Sequence, residues 1–92
     1  MTIEQRLRQF IIENFYVTDP AEVQDDTLLV TAGFIDSTGM LEVIAFLEEE
    51  FGIQVADHET TPENLESVAR MAAFVTRKRA GSSPPGGVEA VG

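Results

Sequence analysis

Apolar residues recur along this chain at helical spacing, in segments separated by polar or proline-marked connections. Ile3, Leu7, Phe10 and Ile11 share one face with Asn14 at the 3–4 period, and Asn14 is the polar member of that face. Thr2 followed by Gln5 reads as a capping box at the start of this first helix. The helix is expected to fade near Phe15, because Val17-Thr18 is β-branched and Asp19 precedes Pro20. A second helix is predicted from Ser37 to Phe51. Met40, Val43, Ile44, Leu47 and Phe51 fall in one narrow stripe at about 100° per residue, and Gly52 stands where a helix terminates. Leu41, Glu42, Ala45, Glu48 and Glu49 lie on the opposite half. Thr61-Pro62 is a cap followed by proline at the first helical position, so a short turn over Pro62 to Leu65 and then a longer helix are predicted. Leu65, Val68, Met71, Ala72 and Val75 form their inward stripe, which leaves Phe74 facing away from it, while Phe46 falls on the flank of the second helix.

The segments between these helices differ in kind. Residues 18–36 make a long connection with apolar anchors at Leu28, Leu29, Val30, Phe34 and Ile35, and Gly33 supplies a turn. A connection of this length in a small domain is often functional. In the second connection, "IQVADHET", Ile53 and Val55 are expected to be buried. From residue 81 the chain reads "GSSPPGGVEAVG", which cannot build a core and is expected to be a flexible tail. The fold class is therefore all-α: a small four-helix bundle, three main helices plus one short helix, with a long loop between helices one and two. The domain occupies residues 1–80 and the tail 81–92.

Composition narrows the function. At 92 residues and 43% apolar, with six Phe, the chain can fill one core but cannot easily enclose a deep catalytic cavity. No apolar run approaches the ~20 residues that span a bilayer, and "MTIEQRLRQFIIENF" is not a signal peptide. Cysteine is absent, so neither a disulfide nor a thiolate metal site is expected. Sixteen acidic residues against six basic ones give a formal charge of −10, which disfavours nucleic acid and anionic lipid and favours basic protein surfaces. A cytoplasmic monomer is the expectation, with no nucleic-acid or membrane partner.

The chemistry concentrates at Asp36-Ser37. As a hydrolase nucleophile Ser37 would need a base and an oxyanion hole. The sole histidine, His58, lies in a polar connection and reads as a solvated loop residue. A nucleophile elbow would need glycine where Ile35 stands, and a Ser-x-x-Lys pair would need lysine where Met40 stands. Either Asp36 or Ser37 could serve as nothing more than a helix cap. A helix N-terminus is also an anion site, so a serine there is well placed to carry a phosphodiester, with Asp36 near a divalent cation during transfer. Gly39 leaves the serine uncrowded on one flank. Calcium loops fail the pattern: counted from Asp25 the sixth and twelfth positions are Val30 and Asp36, and from Asp57 they are Pro62 and Val68, where Gly and Glu are required. No metal site is expected. Arg77-Lys78-Arg79 reads as a solvated helix end favoured by the dipole.

Gly33-Phe34-Ile35-Asp36-Ser37-Thr38-Gly39, followed by Leu47-Glu48-Glu49-Glu50-Phe51-Gly52-Ile53, resembles the acyl and peptidyl carrier protein family over roughly residues 2 to 78. The resemblance implies a non-enzymatic carrier with 4′-phosphopantetheine, drawn from coenzyme A, attached covalently to Ser37 and bearing acyl or aminoacyl thioesters. Asp36 is then the cofactor-side residue. Thr38, Leu41, Glu42, Ala45, Glu48 and Glu49 are the face toward a phosphopantetheinyl transferase, an acyl- or aminoacyl-activating ligase and downstream synthase or transferase enzymes. Thr38 stands where fatty-acid carriers usually have leucine, and Gly39 where an acidic residue is often seen. Both resemble stand-alone carriers of secondary metabolism. The alternative is an unmodified acidic helical adaptor that binds a basic protein.

Overall fold

The computed structural model describes residues 1–15 and 17–82. It contains four α-helices: α1, Ile3–Asn14; α2, Ser37–Phe51; α3, Pro62–Leu65; and α4, Val68–Ser82. No strand occurs among the described residues. Short 3-10 turns at Pro20–Glu22 and Asp57–Glu59 break the two long connections. The fold is the all-α, small four-helix bundle expected, three main helices and one short. The expected tail lies, for residues 83–92, outside the described residues; Gly81 and Ser82 end α4.

Each helix is bounded by the chemistry its sequence carries. The Thr2 hydroxyl accepts from Gln5 N at 3.1 Å, and the Gln5 side chain accepts from Thr2 N at 2.9 Å, so the capping box closes. Asp36 is the N-cap of α2, which places Ser37 at the first helical position rather than in the capping role. Gly52 ends α2 with φ +67°, a left-handed conformation that glycine reaches without steric cost. Ser67, buried, accepts from Arg70 N at 3.2 Å and so caps α4.

The core is one cluster fed by every α-helix: Leu7 and Ile11 from α1, Val43 and Leu47 from α2, Leu65 from α3, and Val68, Met71, Ala72, Phe74 and Val75 from α4. Val23, Leu29, Ile35 and Ile53 join it from the connections. α4 packs against each of the other three helices. This corrects the expectation for Phe74, which is buried at 2% exposure. Because α3 covers one flank of α4 while α1 and α2 cover another, the apolar arc of α4 is wider than a single stripe. Met40, Ile44 and Phe51, placed in the stripe of α2, are half-buried at its margin, as is Val55. Phe46 belongs to the α1–α2 seam, stacked on Phe10 with centroids 4.1 Å apart and edge-on to Phe51 at 5.9 Å.

The long connection is tied down more by polar groups than by its expected anchors. Leu29 and Ile35 are buried and Phe34 is half-buried, but Leu28 and Val30 are 41% and 46% exposed. Leu29 N donates to Glu66 O at 2.8 Å, and one Glu66 carboxylate oxygen accepts from both Val30 N and Thr31 N, at 2.9 and 3.1 Å. Asp25 O accepts from Ala69 N at 2.8 Å, so the loop also caps the start of α4. Gly33, with φ +87°, makes the turn that returns the chain toward Asp36.

The basic end of α4 is likewise internal in function. Lys78 Nζ donates to both oxygens of Glu59 at 3.0 and 3.1 Å, and Arg77 donates to Asn64 Oδ1 at 2.8 Å. Both cations lie over the Phe74 ring, 5.8 and 6.0 Å from its centroid. Arg70 donates to Pro62 O at 3.2 Å. A four-residue helix such as α3 has no stability of its own. Polar contacts from α4 therefore supplement its single buried anchor, Leu65.

Candidate functional site

The cap that starts α2 also fixes the local geometry of the site. Asp36 Oδ1 accepts from Gly39 N at 2.7 Å, and Asp36 O accepts the first helical bond, from Met40 N at 2.8 Å. The carboxylate lies where the helix dipole favours negative charge. Ser37 follows immediately, exposed, in the first turn.

Ser37 and Asp36 line a cleft of about 520 Å³ between α2 and the segment that carries Asp57–Glu59 and α3. Met40, Leu41 and Ile44 form the α2 wall, Val55 and Leu65 face them, and Val30 of the long connection closes one end. The lining contains no histidine, lysine or arginine. His58 is exposed on the 3-10 turn and does not line the cleft, where the ionisable groups beside Ser37 are the carboxylates Asp36, Asp57 and Glu66. Among the described residues no group of three or more His, Cys, Asp or Glu is arranged to hold a metal ion. The geometry offers an exposed hydroxyl beside a narrow, mostly apolar trough.

Thr38, Leu41, Glu42, Ala45 and Glu49 are all exposed and share the outward side of α2, which runs directly from Ser37. Leu41, at 67% exposure, is its apolar centre. Glu48 differs from the rest of this face. It is half-buried, and its carboxylate accepts from Val55 N at 2.9 Å, so it holds the connection that follows α2.

Sequence reasoning missed Glu66. It lines the cleft while clamping Val30 and Thr31 across 36 and 35 residues of chain. A glutamate after a short helix carries no signal of so distant a partner. The role of Gly39 was also misread. It is buried, and a Cβ there would lie 2.5 Å from Phe15 Cε1, so the glycine makes room for a ring rather than for the serine.

On the far wall, Glu59 accepts from Ala56 N at 2.9 Å and from Lys78. These contacts, the backbone one first, hold its carboxyl below the usual carboxylate range.

No helix among the described residues is long and apolar enough to cross a membrane. No family model matches the chain. Individual proteins do. An acyl carrier protein of Solidesulfovibrio magneticus is 28% identical over 79 residues, 86% of this chain and 97% of that protein. The acyl carrier protein of Buchnera aphidicola subsp. Acyrthosiphon pisum is 30% identical over 81 residues, 83% of this chain and 91% of its own. The solved structure of KstB-PCP in its apo form is 41% identical, with a TM-score of 0.63 over 92% of this chain and 89% of that one. Near-full-length sequence likeness and the structural match converge: this chain belongs to the acyl carrier protein family, whose members carry groups for other enzymes rather than catalyse.

Proposed function

We propose that this protein carries acyl or aminoacyl groups as thioesters on a 4′-phosphopantetheine arm attached to Ser37. The observation that carries this reading is the exposed Ser37 in the first turn of α2, on the wall of the cleft, in a chain of this family. The fit is chemical as well as spatial. The N-terminal turn of a helix favours a bound phosphate. A trough lined by Met40, Ile44, Val55 and Leu65 suits an uncharged arm and an apolar cargo. When bound, the group supplies the thiol that the cysteine-free chain lacks.

Each residue then has a defined task. The Ser37 oxygen forms the phosphodiester, losing its proton to the transferase, while the nucleotide half of coenzyme A departs. Asp36 commits one oxygen to the Gly39 amide, and its carboxylate would help hold a divalent cation accompanying the coenzyme, which would supply charge stabilisation to the transferred phosphate. Leu41 is the apolar anchor for the transferase and for the ligase and synthase enzymes that load and unload cargo. Thr38, Ala45 and the carboxylates Glu42 and Glu49 frame it for a basic counterpart. The domain ends near the last turn of α4, and the protein works in the cytoplasm.

The test is intact mass after incubation with coenzyme A and a promiscuous phosphopantetheinyl transferase. The expected result is one phosphopantetheine per chain, lost in Ser37→Ala. A chain that stays unmodified while a control carrier is loaded would overturn the proposal and leave the unmodified adaptor as the reading of the same face.

A further inference from the structure

Glycine is an expensive choice in the first turn of a helix. Alanine at such a position typically gains up to about 1 kcal/mol. Gly39 has no positive φ to justify the cost. What it has is a ring in the place of a side chain. Phe15, the residue that ends α1, puts Cε1 2.5 Å and Cζ 3.3 Å from where a Cβ would stand, and Asp36 Oδ1 would be 3.2 Å away. The ring is half-buried, braced edge-on against Phe10 at 6.2 Å, and its backbone is pinned by Phe15 N donating to Ile11 O at 3.0 Å. The end of α1 therefore enters a notch in the first turn of α2, on the residue whose amide holds the Asp36 cap.

We infer that Phe15 and Gly39 form a key and notch that set the height and rotation of the first turn of α2, making Phe15 a positioning residue for the modification of Ser37. This rests on the reading of Ser37 as the attachment point. Phe15 acts through Gly39 and Asp36, not on the hydroxyl. Lifting Gly39 from the ring turns the Asp36 cap with it and moves Ser37, two residues away. Of the docking face, Thr38 shares the turn that moves, while its apolar centre Leu41 and the carboxylates through Glu49 lie further along α2 and are left in place. The signature is therefore a fall in turnover with unchanged recognition.

The experiment measures loading by a promiscuous transferase with coenzyme A, by intact mass, at varied concentrations of wild type, Phe15→Leu, Gly39→Ala and the double variant. Each single change is expected to lower kcat about tenfold with KM unchanged, since a small misplacement of a reacting atom costs this much or more. The double variant, in which the new methyl group fills space vacated by the ring, is expected to load faster than either single. Faster hydrogen exchange at the Gly39 amide in Phe15→Leu is expected alongside. Wild-type kcat in the singles, or losses that add in the double, overturns the inference. If Gly39→Ala does not fold by circular dichroism, the kcat of Phe15→Leu decides alone. A wild-type chain that accepts no group at Ser37 removes the attachment reading instead, and exchange at Gly39 then tests the notch by itself: unchanged exchange in Phe15→Leu overturns it.

Discussion

Replacing Glu48 tests a contact that holds the fold from within the acidic side of α2. The Glu48 Oε2 accepts from Val55 N at 2.9 Å in a half-buried setting. Glu48→Ala strands that donor, and an unsatisfied buried N–H costs about 1–3 kcal/mol. Glu48→Gln keeps an acceptor at the same reach and loses the charge assistance, a difference of about 1 kcal/mol. Removing one negative charge from a chain at −10 offsets part of that loss by easing self-repulsion. Glu48→Gln is therefore expected to stay close to wild type in a urea melt followed by far-ultraviolet circular dichroism, and Glu48→Ala to fall well below both. Glu48→Lys loses the acceptor and reverses the charge, so a binding defect in that variant cannot be assigned to docking. Equal destabilisation of the Gln and Ala variants, or an Ala variant as stable as wild type, would refute the assignment of Glu48 as the holder of Val55.

The other predictions address the core, the docking face and acid sensitivity. Phe74→Ala is expected to cost about 3–5 kcal/mol in the same melts, a large share of the stability of a small domain, and more than Phe46→Ala on the half-exposed seam. Leu41→Ala and Glu49→Lys should raise the KM for transferase loading while shifting stability by no more than about 0.5 kcal/mol, because both side chains are exposed; unchanged KM in both would remove this side of α2 as the docking face. Glu59 has its folded pKa below the ordinary value. Its contribution is complete above the ordinary carboxylate range and is lost as pH falls through that range and the lowered value. Acid titration followed at the Ala56 and Asn64 resonances should loosen the turn on the far wall of the cleft. In Glu59→Gln the midpoint at Ala56 should vanish; an identical titration there would refute the role.

The helices were legible because local chemistry sets their limits. Thr2 with Gln5, Asp36 ahead of Ser37, Gly52, and Thr61-Pro62 each act within a few residues, so the bounds of α2 and α3 follow from the string. The placement of Ser37 at the start of α2 was legible for the same reason, and so was the outward side of α2 except for Glu48, which is half-buried and holds Val55. What sequence could not carry is contact at long range. The Glu66 clamp joins residues 36 apart, and the fit of Phe15 into Gly39 depends on how one helix end meets another. Phe74 was misplaced because periodicity describes a helix with one neighbour, whereas α4 has three. Leu28 and Val30 were read as anchors because they are apolar, but the loop is anchored by backbone amides, which every sequence supplies equally.

The distribution of charge follows from these same internal contacts. Arg6, Arg8, Arg70, Arg77 and Lys78 are each engaged within the fold. Arg6 pairs with Glu50, Arg8 with Asp25 and Lys78 with Glu59, while Arg70 and Arg77 hold Pro62 O and Asn64. None of these five contacts reaches Glu42 or Glu49. These contacts brace α3, the long connection and the α1–α2 pairing, while Glu42 and Glu49 stand exposed on the outward side of α2. A uniformly acidic surface would attract basic proteins without orienting them. On the docking reading, Glu42 and Glu49, exposed on the same side as Leu41, would orient a basic partner along α2 toward the Ser37 hydroxyl. The far side of the cleft is braced by Lys78 and Arg77, whereas its near wall, Met40, Leu41 and Ile44, is apolar and the carboxylates Glu42 and Glu49 stand on the outer side of the same helix. Loosening Lys78 or Arg77 should accordingly disturb the cleft before it disturbs recognition, and changes at Glu42 or Glu49 should do the reverse.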